Sequence, residues 1–157
     1  MSWEAVGAIG EILGAIAVFV TLVYLATQIK QSNDLARFNA SKELVNQFNE
    51  LDRLVATDAS LRRILAETGE LSADEREQVY HFSIMFCNVW LSAQIAHDSN
   101  QIEESVYAAC VQDVHVELAR WPSFRPAAQE WLSSYPQNAH HPIFQPILQA
   151  DDRAGSA

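Results

Sequence analysis

AVGAIGEILGAIAVFVTLVYLATQIK, residues 5–30, is apolar over almost its whole length yet carries a carboxylate between two glycines. Between Ala5 and Thr27 only Glu11 is charged. A helix of about 20 apolar residues, rising about 1.5 Å per residue, spans the hydrocarbon of a bilayer, and this run exceeds that length. The preceding Met-Ser-Trp-Glu lacks the Lys or Arg of a secretory leader, so the segment is expected to be retained. A buried helix of a water-soluble domain rarely needs so long an apolar run. Residues 5–28 are therefore expected to form a transmembrane helix, with residues 1–4 as an extramembrane end.

Flanking charge sets the expected orientation. Glu4 precedes the span, whereas Lys30, Arg37 and Lys42 follow it. Basic residues favour the cytoplasmic side, which places the N-terminus outside and the remainder of the chain in the cytoplasm. Trp3 and Tyr24 suit the membrane interfaces.

Within the span, Gly7, Gly10, Gly14, Ala17, Thr21, Tyr24 and Gln28 recur at alternating spacings of three and four. They form a heptad stripe that is small or polar nearly throughout. Ile9, Ile12, Leu13, Ile16, Phe19, Val20, Leu22 and Val23 occupy the other faces. Small residues let two membrane helices approach closely, so Gly7, Gly10, Gly14, Ala17 and Thr21 are the expected helix-packing residues. Glu11 flanks the stripe. It lies about 9 Å along the axis from Ala5, near the helix N-terminus, where head groups, water and the helix dipole tolerate a negative charge. An interhelical hydrogen bond and proton or ion handling are alternative roles for this carboxylate.

The 157-residue chain has 49% apolar residues and a net charge of −10. That apolar fraction excludes wholesale disorder. The acidity argues against nucleic acid and against recruitment by anionic lipid head groups, since no basic cluster exceeds Arg62-Arg63. Attachment to a bilayer must then be hydrophobic. Cys87 and Cys110 show no CxxC or metal-ligand spacing and read as buried reduced residues, although a disulfide between adjacent helices stays open.

Beyond the span, no proline or glycine interrupts the chain from Lys30 to Thr68. Leu35, Phe38, Val45 and Phe48 continue the stripe, and Leu44, Leu51, Leu54 and Val55 widen the apolar face. A helical stem over residues 29–57 is expected. A small helical bundle over 58–134 follows, starting with a short helix from Ala59 to Glu67, N-capped by Asp58 and ended by Gly69. Ser72-Ala73-Asp74-Glu75 is a capping box opening a long helix to about His97. Its apolar positions, among them Val79, Phe82, Met85, Phe86, Trp90 and Ile95, cover much of its circumference, so it should be central. His97-Asp98-Ser99-Asn100 reads as a turn, and a further helix from about Ile102 ends before Trp121-Pro122. Pro126 suits the first turn of a last helix through about Ser134. The tail, residues 135–157, is expected to be irregular and, from Asp151, disordered.

A di-iron bundle needs Glu-x-x-x-His or Glu-x-x-His pairs on two helices. Glu77 and His81 lie four apart on one face, while Asp113, His115 and Glu117 point in different directions and no second pair exists. His140-His141 is a loop pair, and neither cysteine has a neighbouring histidine. No Gly-rich phosphate loop, Gly-x-Ser-x-Gly or His-Glu-x-x-His occurs. Trp90, Trp121 and Trp131 read as core or surface residues. No metal, cofactor or catalytic residue is expected.

Gly7-Ala8-Ile9-Gly10-Glu11-Ile12, Leu22-Val23-Tyr24-Leu25-Ala26 and Gln28-Ile29 resemble a set of small uncharacterised bacterial single-span membrane proteins. Those carry an N-terminal GAIGEI segment, a span ending near YLAxQI and a short helical domain. The likeness covers the first 35 or so residues well and the Trp121–Trp131 region faintly. Members usually follow the span with Arg and Asn, where this chain has Lys30, Ser32 and Asn33. The resemblance implies a bacterial inner-membrane, single-pass topology and assigns no catalytic residue.

An all-α fold is expected, with a transmembrane helix, a stem and a cytoplasmic bundle. The expected function is non-enzymatic: a membrane-anchored scaffold or assembly protein whose partners are the bilayer and itself or another membrane protein. A membrane-tethered sensor or ligand- or metal-binding module, and an ion-handling element using Glu11, are the alternatives.

Overall fold

The computed structural model of the chain describes residues 3–149. Met1 and Ser2 of the expected N-terminal end, and the expected disorder from Asp151, lie outside the described residues. The described chain is all-helical: a long, apolar N-terminal helix, α1 (Trp3–Thr57), is followed by shorter helices. These are α2 (Ala59–Leu65), α3 (Ala73–Asp98), α4 (Glu104–Arg120) and α5 (Phe124–Ser134), then two 3-10 turns and a final single-turn helix, α6 (Gln145–Leu148). Two compact units divide within α1, the first ending at Phe38 and the second beginning at Asn39.

In the first unit two hydroxyls find partners within the helix. Thr21 Oγ1 donates to the Ala17 carbonyl at 2.8 Å and Thr27 Oγ1 to the Tyr24 carbonyl at 2.7 Å. Their hydroxyls are thereby satisfied within the helix, as an apolar medium requires.

In the second unit, α1 buries Leu44 and Leu51, with Phe48, Leu54 and Val55 partly covered. These lie on one side of a 3.6-residue helix. Val45, which the stripe would have placed inward, is 55% exposed. Packing in this unit follows Leu44 and its one-turn neighbours, about 100° around the helix from Val45.

The end of α1 and the start of α2 are joined by side-chain bonds. Arg62 Nη1 donates to the Val55 and Ala56 carbonyls, and the Asp58 carboxylate accepts from the amides of Ser60 and Leu61. Both helix ends would otherwise leave orphan groups. The expected extension of α2 to Glu67, ended by Gly69, is corrected. The helix stops at Leu65, capped at Ala66, because Ser123 Oγ takes the Ile64 and Leu65 carbonyls at 3.0 and 2.9 Å. Gly69 instead sits beneath the Glu67 carboxylate, which accepts its amide at 3.0 Å; a Cβ there would lie 3.2 Å from Oε1.

Helix α3 is central. Its N-terminus is the expected capping box, with Ser72 and Glu75 each bonded to the other's amide. Phe82, Phe86 and Trp90 stack edgewise along it and close on Phe124 of α5, with ring centroids 5.2–6.5 Å apart. Such contacts add about 0.5–1.5 kcal/mol per pair to the burial itself. Of the apolar positions around its circumference, Met85 and Ile95 are exposed. Asn100 ends the turn after α3 with φ 55°, a left-handed conformation that asparagine accepts readily.

The tail departs from the irregular structure expected of it. Pro136–Asn138 and Pro142–Phe144 are 3-10 turns, and Ile143, Phe144 and Ile147 are fully buried. Arg125 donates to the Pro146 carbonyl and Gln129 to that of Ile147, so polar groups of α5 replace the hydrogen bonds a regular element would supply. Prolines prevent a long helix here, but they do not prevent burial.

Candidate functional site

The most unusual surface is the first unit itself. From Val6 to Ile29 the large apolar side chains are exposed, Phe19 at 67% and Ile12 at 61% among them. In the most apolar 18-residue window of α1 no residue is buried. A mostly apolar exposed surface of this length is foreign to a water-exposed helix. The helix is long and apolar enough to cross a membrane.

At 3.6 residues per turn, α1 places Gly7, Gly10, Gly14, Ala17 and Thr21 within an arc of about 80°. Glu11 lies on the flank of that arc and is exposed. A Cβ built on Gly7, Gly10 or Gly14 meets no atom within 4 Å. No contact within the described chain therefore calls for glycine, although each glycine inside a helix costs about 0.5–1 kcal/mol relative to alanine. Thr21 turns its hydroxyl back to the Ala17 carbonyl, so its own donor is satisfied within the helix.

The residues weighed as metal ligands are scattered. His81 Nε2 lies 3.7 Å from Glu77 Oε1, with both side chains mostly exposed. Asp113 and Glu117 turn inward, to indoles: Trp90 Nε1 donates to Asp113 at 2.9 Å and Trp121 Nε1 to Glu117 at 2.7 Å. Arg120 adds a bond to Glu117 at 3.1 Å. Burial, the largest cause, raises the pKa of both carboxyls, against the opposing pull of these donors. His115 is exposed, and the His140 and His141 rings lie 4.2 Å apart. Among the described residues no three His, Cys, Asp or Glu side chains converge.

Cys87 and Cys110 are buried and unbonded, and burial pushes their thiols up to about 12 and about 11. Such thiols are poor nucleophiles at neutral pH.

A polar network missed by the sequence reading joins α3, α4 and the tail. Gln94 is buried; its Oε1 accepts from Tyr107 Oη at 2.6 Å and from the Ile143 amide at 3.2 Å. Its Nε2 donates to Asp98 at 2.9 Å. Beside it His97 stacks on Tyr107, with centroids 4.0 Å apart, and bonds Glu104 at 2.9 Å. Glu104, the largest cause, raises the His97 pKa. A polar residue amid an apolar stretch of α3, Gln94, was the one available signal.

No known protein family, curated protein or solved structure matches the chain.

Proposed function

We propose that the chain is a non-enzymatic, membrane-anchored assembly protein. It crosses the bacterial inner membrane once through the first part of α1, with its N-terminus outside and its helical bundle in the cytoplasm. It self-associates, or joins a larger membrane complex as an accessory subunit, through Gly7, Gly10, Gly14, Ala17 and Thr21.

The observation that carries this reading is the open space above three helical glycines on an exposed apolar helix. Glycine there weakens the isolated helix and serves no contact within the described chain. Close approach of a second helix explains both facts, because membrane association depends on backbone proximity and van der Waals contact. The charge bias after the span supports the orientation, and the likeness in residues 7–29 to small bacterial single-span proteins supports the origin. Glu11 sits beside the contact face near the helix start.

The test is the particle mass in mild detergent. Gly10→Ile or Gly14→Ile is expected to disperse the assembly while the variant still fractionates with the membrane. An unchanged mass overturns the assembly reading; a chain that purifies freely in water overturns the anchor.

A further inference from the structure

The second unit carries an open groove between the end of α1 and α3. Two depressions, of about 980 and about 280 Å³, share Met85 as a lining residue. The floor is apolar, built from Leu51, Leu54, Phe82, Met85 and Val89. Met85 is 42% exposed, beside the buried Phe82 and Val89. An unbranched thioether adapts to irregular partners, which suits it to a docking surface.

Carboxylates line the groove from both walls: Glu43, Glu50 and Asp58 from one, Asp74 and Glu77 from the other. No Lys or Arg is among the lining residues. Two of these carboxylates have a basic neighbour: Arg53 lies 2.6 Å from Glu50, and His81, itself a lining residue, lies 3.7 Å from Glu77.

We propose that this groove docks a cationic amphipathic helix of a partner protein. An apolar trough with acidic edges recognises a helix whose apolar residues recur at i, i+3 or i+4 and i+7, flanked by Lys or Arg. Charge complementarity steers such a helix in and fixes its register. A second copy of this chain fits poorly: acidic residues outnumber basic ones 20 to 10. Its adjacent basic pair is also engaged, Arg62 on the α1 carbonyls and Arg63 on Glu75. Anionic lipid is repelled by the same carboxylates. The groove lies wholly within the second unit, so the proposal goes beyond the assembly reading and does not depend on it.

The experiment uses the full chain in nanodiscs of zwitterionic phosphatidylcholine. The probe is a fluorescent Leu/Lys peptide that forms an amphipathic helix. A scrambled isomer without an apolar face and a Leu/Glu counterpart are the controls, and empty discs are subtracted. Saturable binding of the Leu/Lys helix alone is expected, weakened by salt. Glu43→Lys with Glu77→Lys, one exposed change on each wall, should lower the affinity by about tenfold or more while leaving the melting transition in place. Absence of saturable binding, equal binding of the scrambled or acidic peptide, or indifference to the charge reversal overturns the proposal. So does a charge reversal that changes the particle's own mass instead, since the occupant would then be a second copy.

Discussion

Glu117 shows how one residue gains a role that its type does not announce. In the sequence it is weighed only as a metal ligand, beside Asp113 and His115. In the fold it is 4% exposed and bonded to an indole and a guanidinium. Its raised pKa means that the folded state holds a proton at pH values where the unfolded chain has released it. Its contribution is therefore fully present below the ordinary carboxylate range and is lost as pH rises through the folded pKa. Glu117→Gln keeps an acceptor for Trp121 and removes this titration. The urea-unfolding free energy of the variant should fall less than that of the wild type between about pH 4 and pH 7, with the two within about 1 kcal/mol at neutrality. Parallel pH curves would sink this account.

At the scale of elements, most of the structure was legible because its signals are local. Asp58, the capping box and Trp121-Pro122 mark helix ends through bonds that reach at most a few residues. The box is testable. Ser72→Ala should cost about 1 kcal/mol of stability in a denaturant titration at neutral pH. Arg63 first, then the Ser72 bonds, hold the Glu75 carboxyl at about 2, well below its usual range. Its contribution is present above that range and disappears as pH falls toward 2. Glu75→Gln should thus be destabilised at neutral pH and converge on the wild type in acid; a constant difference would count against the pairing. The C-terminal limit of α2 was misread for the opposite reason. It depends on Ser123, 58 residues away from Leu65.

For the whole molecule the tail is the instructive part. Proline-rich composition pointed to irregular structure, yet Ile143, Phe144 and Ile147 fill the bundle. Burying each such side chain is worth about 1.5–3 kcal/mol, so together they approach the entire stability of a typical domain. Truncation after Tyr135 should abolish the cooperative thermal transition of the helical unit, read by near-ultraviolet circular dichroism in detergent. A truncated chain that melts like the full one would show that the tail only decorates the bundle.

By itself the sequence determined the helical class, the apolar first helix with its small-residue stripe, and most helix starts, since periodicity and capping are nearest-neighbour physics. Only the tertiary structure decided the burial of the tail, the indole–carboxylate pairs and the acidic groove. Those depend on partners such as Trp90 with Asp113, 23 positions apart, and Gln94 with Ile143, 49 apart. Which distant residues meet is set by how the helices share one core, and no local pattern encodes that.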